Sequence, residues 1–161
     1  MKKLILTSAI AVFTMISLNT MAQGKFKFGA GAGLALPVGD LGKSTSFGFG
    51  VDVQGTYVIN EKVEAFAQSG YASFSGKDGG DAVGHIPFLL GARYVAGKFL
   101  GGLGIGYGTF TFNGESGSGL SFCPQLGYRA TEKIDILAQY SSTSDDGVTL
   151  SFLGLKGIYN F

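Results

Sequence analysis

Residues 25–36 read KFKFGAGAGLAL: Phe26, Phe28, Ala30, Ala32, Leu34 and Leu36 recur at every second position, with Lys27, Gly29, Gly31 and Gly33 between them. A period of two marks a β-strand with two unlike faces, because successive side chains point to opposite sides. One face here is apolar and the other nearly bare. The glycines then have three possible meanings: a loop that cradles phosphate, a flexible tract, or a strand whose second face looks into a crowded, narrow space.

The same alternation recurs along the rest of the chain. A second strand over about 46–59 sets Phe47, Phe49, Val51, Val53 and Tyr57 against Ser46, Gly48, Gly50, Asp52, Gln54 and Thr56. A third, 63–75, carries Glu64, Gln68 and Gly70 on one parity and Ala65, Ala67 and Tyr71 on the other, with Phe66 and Phe74 sharing the polar parity. In the fourth, Ile86, Phe88, Leu90, Ala92 and Tyr94 oppose Pro87, Leu89, Gly91 and Arg93. The fifth, 98–112, repeats the glycine face, with Phe99, Leu103, Ile105 and Tyr107 opposite Gly102, Gly104, Gly106 and Gly108. The sixth sets Leu120, Phe122, Leu126 and Tyr128 against Ser121, Cys123, Gln125, Gly127 and Arg129; the seventh sets Ile134, Ile136, Ala138 and Tyr140 against Asp135, Gln139 and Ser141. The eighth ends the sequence, with Leu153, Leu155, Gly157, Tyr159 and Phe161 on one face and Lys156 and Asn160 on the other.

Short turns at 60–62, 96–97 and 131–133 alternate with polar stretches at 37–44, 76–85, 113–119 and 143–147, which are expected as longer loops. Segments of roughly ten residues or more, with such alternating connections, predict an all-β, eight-stranded antiparallel up-and-down transmembrane β-barrel. A soluble sandwich would have shorter strands and a charged outer face. In lipid the sheet must close, since an open edge would leave backbone groups unpaired. Eight strands enclose a space just wide enough to be filled by side chains. The glycines are therefore expected to leave room for long side chains from other strands.

Composition agrees. Of 161 residues, 28 are glycine and 3 proline; 45% are hydrophobic and only 14% charged. Glycine at this level without a three-residue repeat excludes collagen. Residues 1–22 read as a secretory signal peptide: Lys2 and Lys3, an apolar run from Leu4 to Leu18, then Asn19, Thr20 and a small Ala22. The run is shorter than the ~20 apolar residues of a membrane-spanning helix. Cleavage after Ala22 is expected, leaving residues 23–161 as one barrel domain with ten basic and eleven acidic side chains. Their dispersion argues against a nucleic-acid partner. Cys123 is the only cysteine, so no intramolecular disulfide forms and it is expected as a small buried filler. No cysteine follows the apolar run to take a lipid anchor.

The eight-strand plan, the signal peptide and the terminal LGLKGIYNF (153–161) resemble the small outer-membrane barrels of Gram-negative bacteria, the OmpA/OmpX-like group. The resemblance implies a cell outer-membrane location, contact with outer-membrane lipids, and a monomer. It also implies that Leu153, Leu155, Tyr159 and Phe161 form the carboxy-terminal signal read by the barrel-assembly machinery. Nothing follows Phe161, so the peptidoglycan-binding domain of OmpA is not expected.

Candidate chemistry is sparse. GDLGKS (39–44) ends like a phosphate-binding loop, but the first glycine of that motif falls on Pro37 and no helix is expected after it. The dinucleotide pattern fails as well, its third glycine falling on Leu36 or Thr109. Some eight-stranded barrels are acyltransferases or deacylases that use a histidine with a serine and an acid. The single histidine, His85, sits at the end of the 76–85 stretch, and Ser144, Asp145 and Asp146 lie in the last one. They match no spaced motif, and His85 is expected as a solvated loop residue. Asp78, Asp81, Asp145 and Asp146 supply oxygen ligands of the kind hard cations take, yet read better as solvated loop charges. No catalytic, cofactor or metal residue is therefore assigned.

Inside the barrel the parity places Lys27, Asp52, Glu64, Arg93, Arg129, Asp135 and Lys156. Unpaired charges in a narrow lumen cost several kcal/mol each, so these are expected to pair across strands. The expected function is structural or interactive, through the loops. A lipid-modifying enzyme and a narrow pore are the alternatives, and a secreted soluble β-protein is the fallback if insertion fails.

Overall fold

The computed structural model describes residues 25–161 apart from 78 and 146; the signal-peptide segment lies outside the described residues. Eight strands follow in chain order: β1 (Phe26–Val38), β2 (Thr45–Asn60), β3 (Val63–Gly76), β4 (Val83–Ala96), β5 (Phe99–Phe112), β6 (Glu115–Arg129), β7 (Ile134–Asp145) and β8 (Val148–Asn160). Each pairs antiparallel with the next, and β8 pairs antiparallel with β1, closing the barrel. One short helix, α1 (Gly39–Ser44), joins β1 to β2.

The pairing register fixes the stagger. A path across partners from Gly29 runs through Gln54, Gln68, Leu89, Gly106, Ser121, Thr143 and Leu150 and returns at Gly39, the residue after β1 and ten residues further on. Strand number and stagger together set the tilt and the bore. Eight strands with this stagger leave a core, not a channel.

Two of the expected loops are strands. Asn113 and Gly114 both have positive φ, 54° and 84°, as a tight two-residue hairpin requires. Glu115–Gly119 accordingly pairs with Gly108–Phe112. Ser144 and Asp145 pair with Thr149 and Val148 around a reversal that includes Gly147, φ 87°. Polar Ser, Thr and Gly read as loop because they carry no apolar face; above a lipid belt, a strand needs none. At 37–44, β1 continues through Val38 and α1 follows, its Leu41 tucked 2% exposed into the barrel mouth.

The two faces separate as the alternation predicts. Leu34, Leu36, Phe49, Val53, Phe88, Leu90, Ile105, Leu126 and Leu155 are among the many large apolar side chains standing exposed around the outside. A belt of this extent on a closed barrel faces lipid.

The inward glycines receive neighbouring side chains. A methyl group on Gly91 would lie 2.5 Å from the Phe66 ring, and one on Gly104 3.4 Å from its other edge. A methyl on Gly29 would meet Ile158 at 2.8 Å, and one on Gly70 would meet Asp52 Oδ1 at 2.9 Å. The bare face of KFKFGAGAGLAL is thus the seat for β8's inward side chains.

Phe66 and Phe74, on the polar parity of β3, are buried in the lumen. Phe74 joins Ala35, Leu41, Val83, Phe110 and Phe152 in an apolar cluster below α1, and a second cluster joins Val95, Leu100, Leu137 and Ile158.

Candidate functional site

The lumen and its α1-side rim are the two places where polar chemistry gathers. Toward the end of the barrel that holds Lys25 and Phe161, Glu64 accepts from Arg129 Nη2 at 3.1 Å and lies 3.7 Å from Lys27 Nζ. Arg129 Nε also donates to Asp135 Oδ1 at 2.9 Å, and Asn160 Nδ2 donates to Asp135 Oδ2 at 3.1 Å. Further along the axis, Lys156 Nζ is 3.4 Å from Asp52 Oδ1, which accepts from Gln68 Nε2 at 3.0 Å.

Arg93 differs from the other six charged residues. It donates to Gln54 Oε1 at 2.9 Å and Gln125 Oε1 at 3.0 Å, and its guanidinium stacks 4.7 Å over Phe66, with no carboxylate in salt-bridge range among the described residues. Four cations against three carboxylates leave one cation to be held by amides and an aromatic face. Cross-strand pairing was expected of all seven; Arg93 departs although its register partner on β3 is Glu64, because that carboxylate is engaged by Arg129 and Lys27 and the Arg93 guanidinium reaches Gln54 and Gln125 instead.

His85 is not a loop residue. It belongs to β4, is fully buried, stacks on Phe110 at 4.2 Å between centroids and meets Phe152 edge-on at 5.4 Å. Its Nε2 lies 3.5 Å from Thr143 Oγ1, which bonds to Ser121 Oγ. Gly108 makes the space: a methyl there would lie 2.6 to 2.7 Å from all three groups. Register explains the correction, since His85 shares the inward parity of Pro87, Leu89 and Arg93.

The hydrolytic constellation does not assemble around it. Ser144 hydrogen-bonds Thr149 on the exposed face, and Asp145 is exposed. Asp81 is exposed, whereas Asp78 and Asp146 lie outside the described residues. Among the described residues no group of three or more His, Cys, Asp or Glu could hold a metal ion. Cys123 is buried and unpaired.

Sequence reasoning did not anticipate Ser121 and Thr143 as partners of His85, although both share the inward parity. For Leu41 no periodicity was available. Leu153, Leu155 and Tyr159 face outward, and Phe161 packs 5.5 Å from Tyr159 while its N–H donates to Phe28 O at 2.8 Å.

At the opposite rim the hairpins are uneven. The β5–β6 ladder reaches Phe112↔Glu115, but the β6–β7 ladder stops at Leu120↔Ser144. Among the described residues, 115–119 therefore have no paired residue on β7. Beside this edge lies a groove of about 410 Å³ bordered by Phe110, Phe112, Glu115, Asp145, Val148 and Leu150.

No protein-family model matches the chain, and no curated protein matches it. Its fold is that of solved small outer-membrane barrels. The crystal structure of Ail, the attachment invasion locus protein of Yersinia pestis, aligns over 87% of this chain and all of that one, with TM-score 0.59 and 16% identity. The N-terminal β-barrel domain of Pseudomonas aeruginosa OprF covers 86% of this chain and all of that one, TM-score 0.61 and 16% identity. Neisserial surface protein A covers 84% of this chain and 97% of that one, TM-score 0.51 and 16% identity.

Proposed function

We propose that the chain is a non-enzymatic, monomeric outer-membrane barrel that works through its α1-side rim, presented outside the cell, with both termini in the periplasm. The observation that carries this reading is the contrast between a lumen filled by side chains and a rim with an unpaired strand edge. A filled lumen argues against transport. His85, wedged between Phe110 and Phe152 and remote in facing from Ser144, argues against hydrolysis.

The rim has what an interaction surface needs. In a two-residue hairpin the flanking residues Phe112 and Glu115 exchange backbone bonds, so N–H groups alternate from there and those of Ser116 and Ser118 point away from β5. An extended segment of a partner could add there as a further strand. Ail carries attachment in its name, which is compatible with such a role. In biogenesis, the outward Leu153, Leu155, Tyr159 and Phe161 are proposed as the assembly-machinery signal.

Single-cysteine labelling tests the arrangement, since native Cys123 is buried. In intact cells a membrane-impermeant maleimide should label Ser116→Cys but not Glu132→Cys, which should react only after the envelope is opened. The opposite pattern, or labelling of neither in a membrane fraction, overturns the proposal.

A further inference from the structure

Among the described residues, three buried polar atoms without a hydrogen-bond partner, His85 Nδ1, Gln139 Oε1 and Lys156 Nζ, belong to residues that line one cavity of about 30 Å³, bordered also by Leu34, Tyr71 and Leu155 of the outer face. Asp52, Pro87 and Phe152 line it too, and Gly33, Gly50 and Gly154 open the wall around it. Buried polar groups in folded proteins are almost always satisfied, by protein or by ordered water. Three orphans around one void therefore point to an occupant.

The chemistry of the lining selects it. Lys156 Nζ offers protons, Gln139 Oε1 and the Asp52 carboxylate accept them, and a neutral His85 Nδ1 does either according to its tautomer. An anion could serve Lys156 but would face Asp52 and leave Gln139 Oε1 without a donor. A cation would serve the acceptors but meet the Lys156 ammonium. Only a small neutral molecule that both donates and accepts satisfies all of them. A single water needs about 10–15 Å³ of such volume and two to four polar partners, so the space suits about two.

We propose that this cavity is a binding site for about two ordered water molecules, bridging His85 Nδ1 and Gln139 Oε1 to the Lys156–Asp52 pair. The waters join two polar groups that are otherwise separate. Above lie Ser121, Thr143 and His85. Below, Asp52 connects through Gln68 and Gln125 to Arg93. The lumen then contains one continuous hydrogen-bonded column beneath the apolar cluster of Leu41, Phe74 and Phe152, with water as its middle link. A water bridge is nearly as favourable as a direct hydrogen bond, so the column ties β2, β4, β7 and β8 together across the bore.

A high-resolution crystal structure of the full barrel, with and without a bromide soak, decides the matter. Density for water within hydrogen-bond distance of at least two of the three orphan atoms, and no anomalous peak after bromide, is the expected result. An empty cavity overturns the proposal, and a bromide peak there replaces water with an anion. In the Gln139→Leu variant, analysed in the same way, the water next to position 139 should be lost while that at Lys156 remains. Side-chain repacking that closes the space in wild type would equally refute the site.

Discussion

The two halves of the lumen solve the same problem with different chemistry. At the end that holds Lys25 and Phe161 the bore is filled by ions: Glu64 and Asp135 hold Arg129, and Lys27 approaches Glu64. Beneath α1 it is filled by aromatic and aliphatic side chains, with Phe74 5.2 Å from Phe152 and Leu41 tucked in beside them. The ionic half is intolerant of losing one partner, because the others stay behind as undercompensated buried charge. The apolar half loses only contacts and gains a void.

That contrast orders the expected effects. Glu64→Ala leaves Arg129 with Asp135 alone and takes away the carboxylate beside Lys27, and should cost about 3 kcal/mol, read as a lower denaturant midpoint in micelles or bilayers. Leu41→Ala removes one apolar plug and should cost about 2–3 kcal/mol by the same measurement. The double variant Glu64→Ala/Arg129→Ala should be non-additive by about 0.5–3 kcal/mol, whereas Glu64→Ala with Leu41→Ala, which share no partners, should add to within about 0.5 kcal/mol. Strong coupling in the second pair would break the division into halves.

Smaller effects lie outside the bore. Ser116→Pro with Ser118→Pro should leave the midpoint unchanged, because their N–H groups face no paired strand among the described residues; a large loss would mean that the β6 edge is engaged. The Lys43 ammonium, 2.7 Å from Asp40 in α1, holds that carboxyl below its ordinary range through a hydrogen bond and charge attraction. A depressed pKa stabilises the fold above the unfolded value and loses that contribution as pH falls through the folded one. Asp40→Asn should therefore match wild type in acid, where the carboxyl is protonated, and melt only marginally lower at pH 7, because the pair is fully exposed and screened by solvent.

Much of the fold was legible because a membrane barrel states its two faces in alternate residues. KFKFGAGAGLAL shows the lipid face in Phe28 and Leu34 and the crowded face in Gly29–Gly33, and the inward set from Lys27 to Lys156 follows from parity alone. What parity does not carry is height. Nothing local says that Glu115–Gly119 extends a strand above the lipid, where Ser and Gly suit both faces. Nor does it reveal that His85 lies within β4, between Phe110, its register partner on β5, and Phe152, which reaches it from β8. Leu41 was unreadable because a single apolar residue in GDLGKS has no period to betray its burial.

The claim on which the rest depends is that side chains fill this barrel. Purified protein, shown to be folded by a heat-dependent shift in electrophoretic mobility, can be reconstituted in planar bilayers and its ion conductance recorded. A closed lumen predicts a flat baseline with no discrete steps, in wild type and in Ser116→Pro/Ser118→Pro alike. Reproducible unitary steps from the wild-type protein would contradict it and put an open path where Arg93, Phe66 and the Lys156–Asp52 pair now stand.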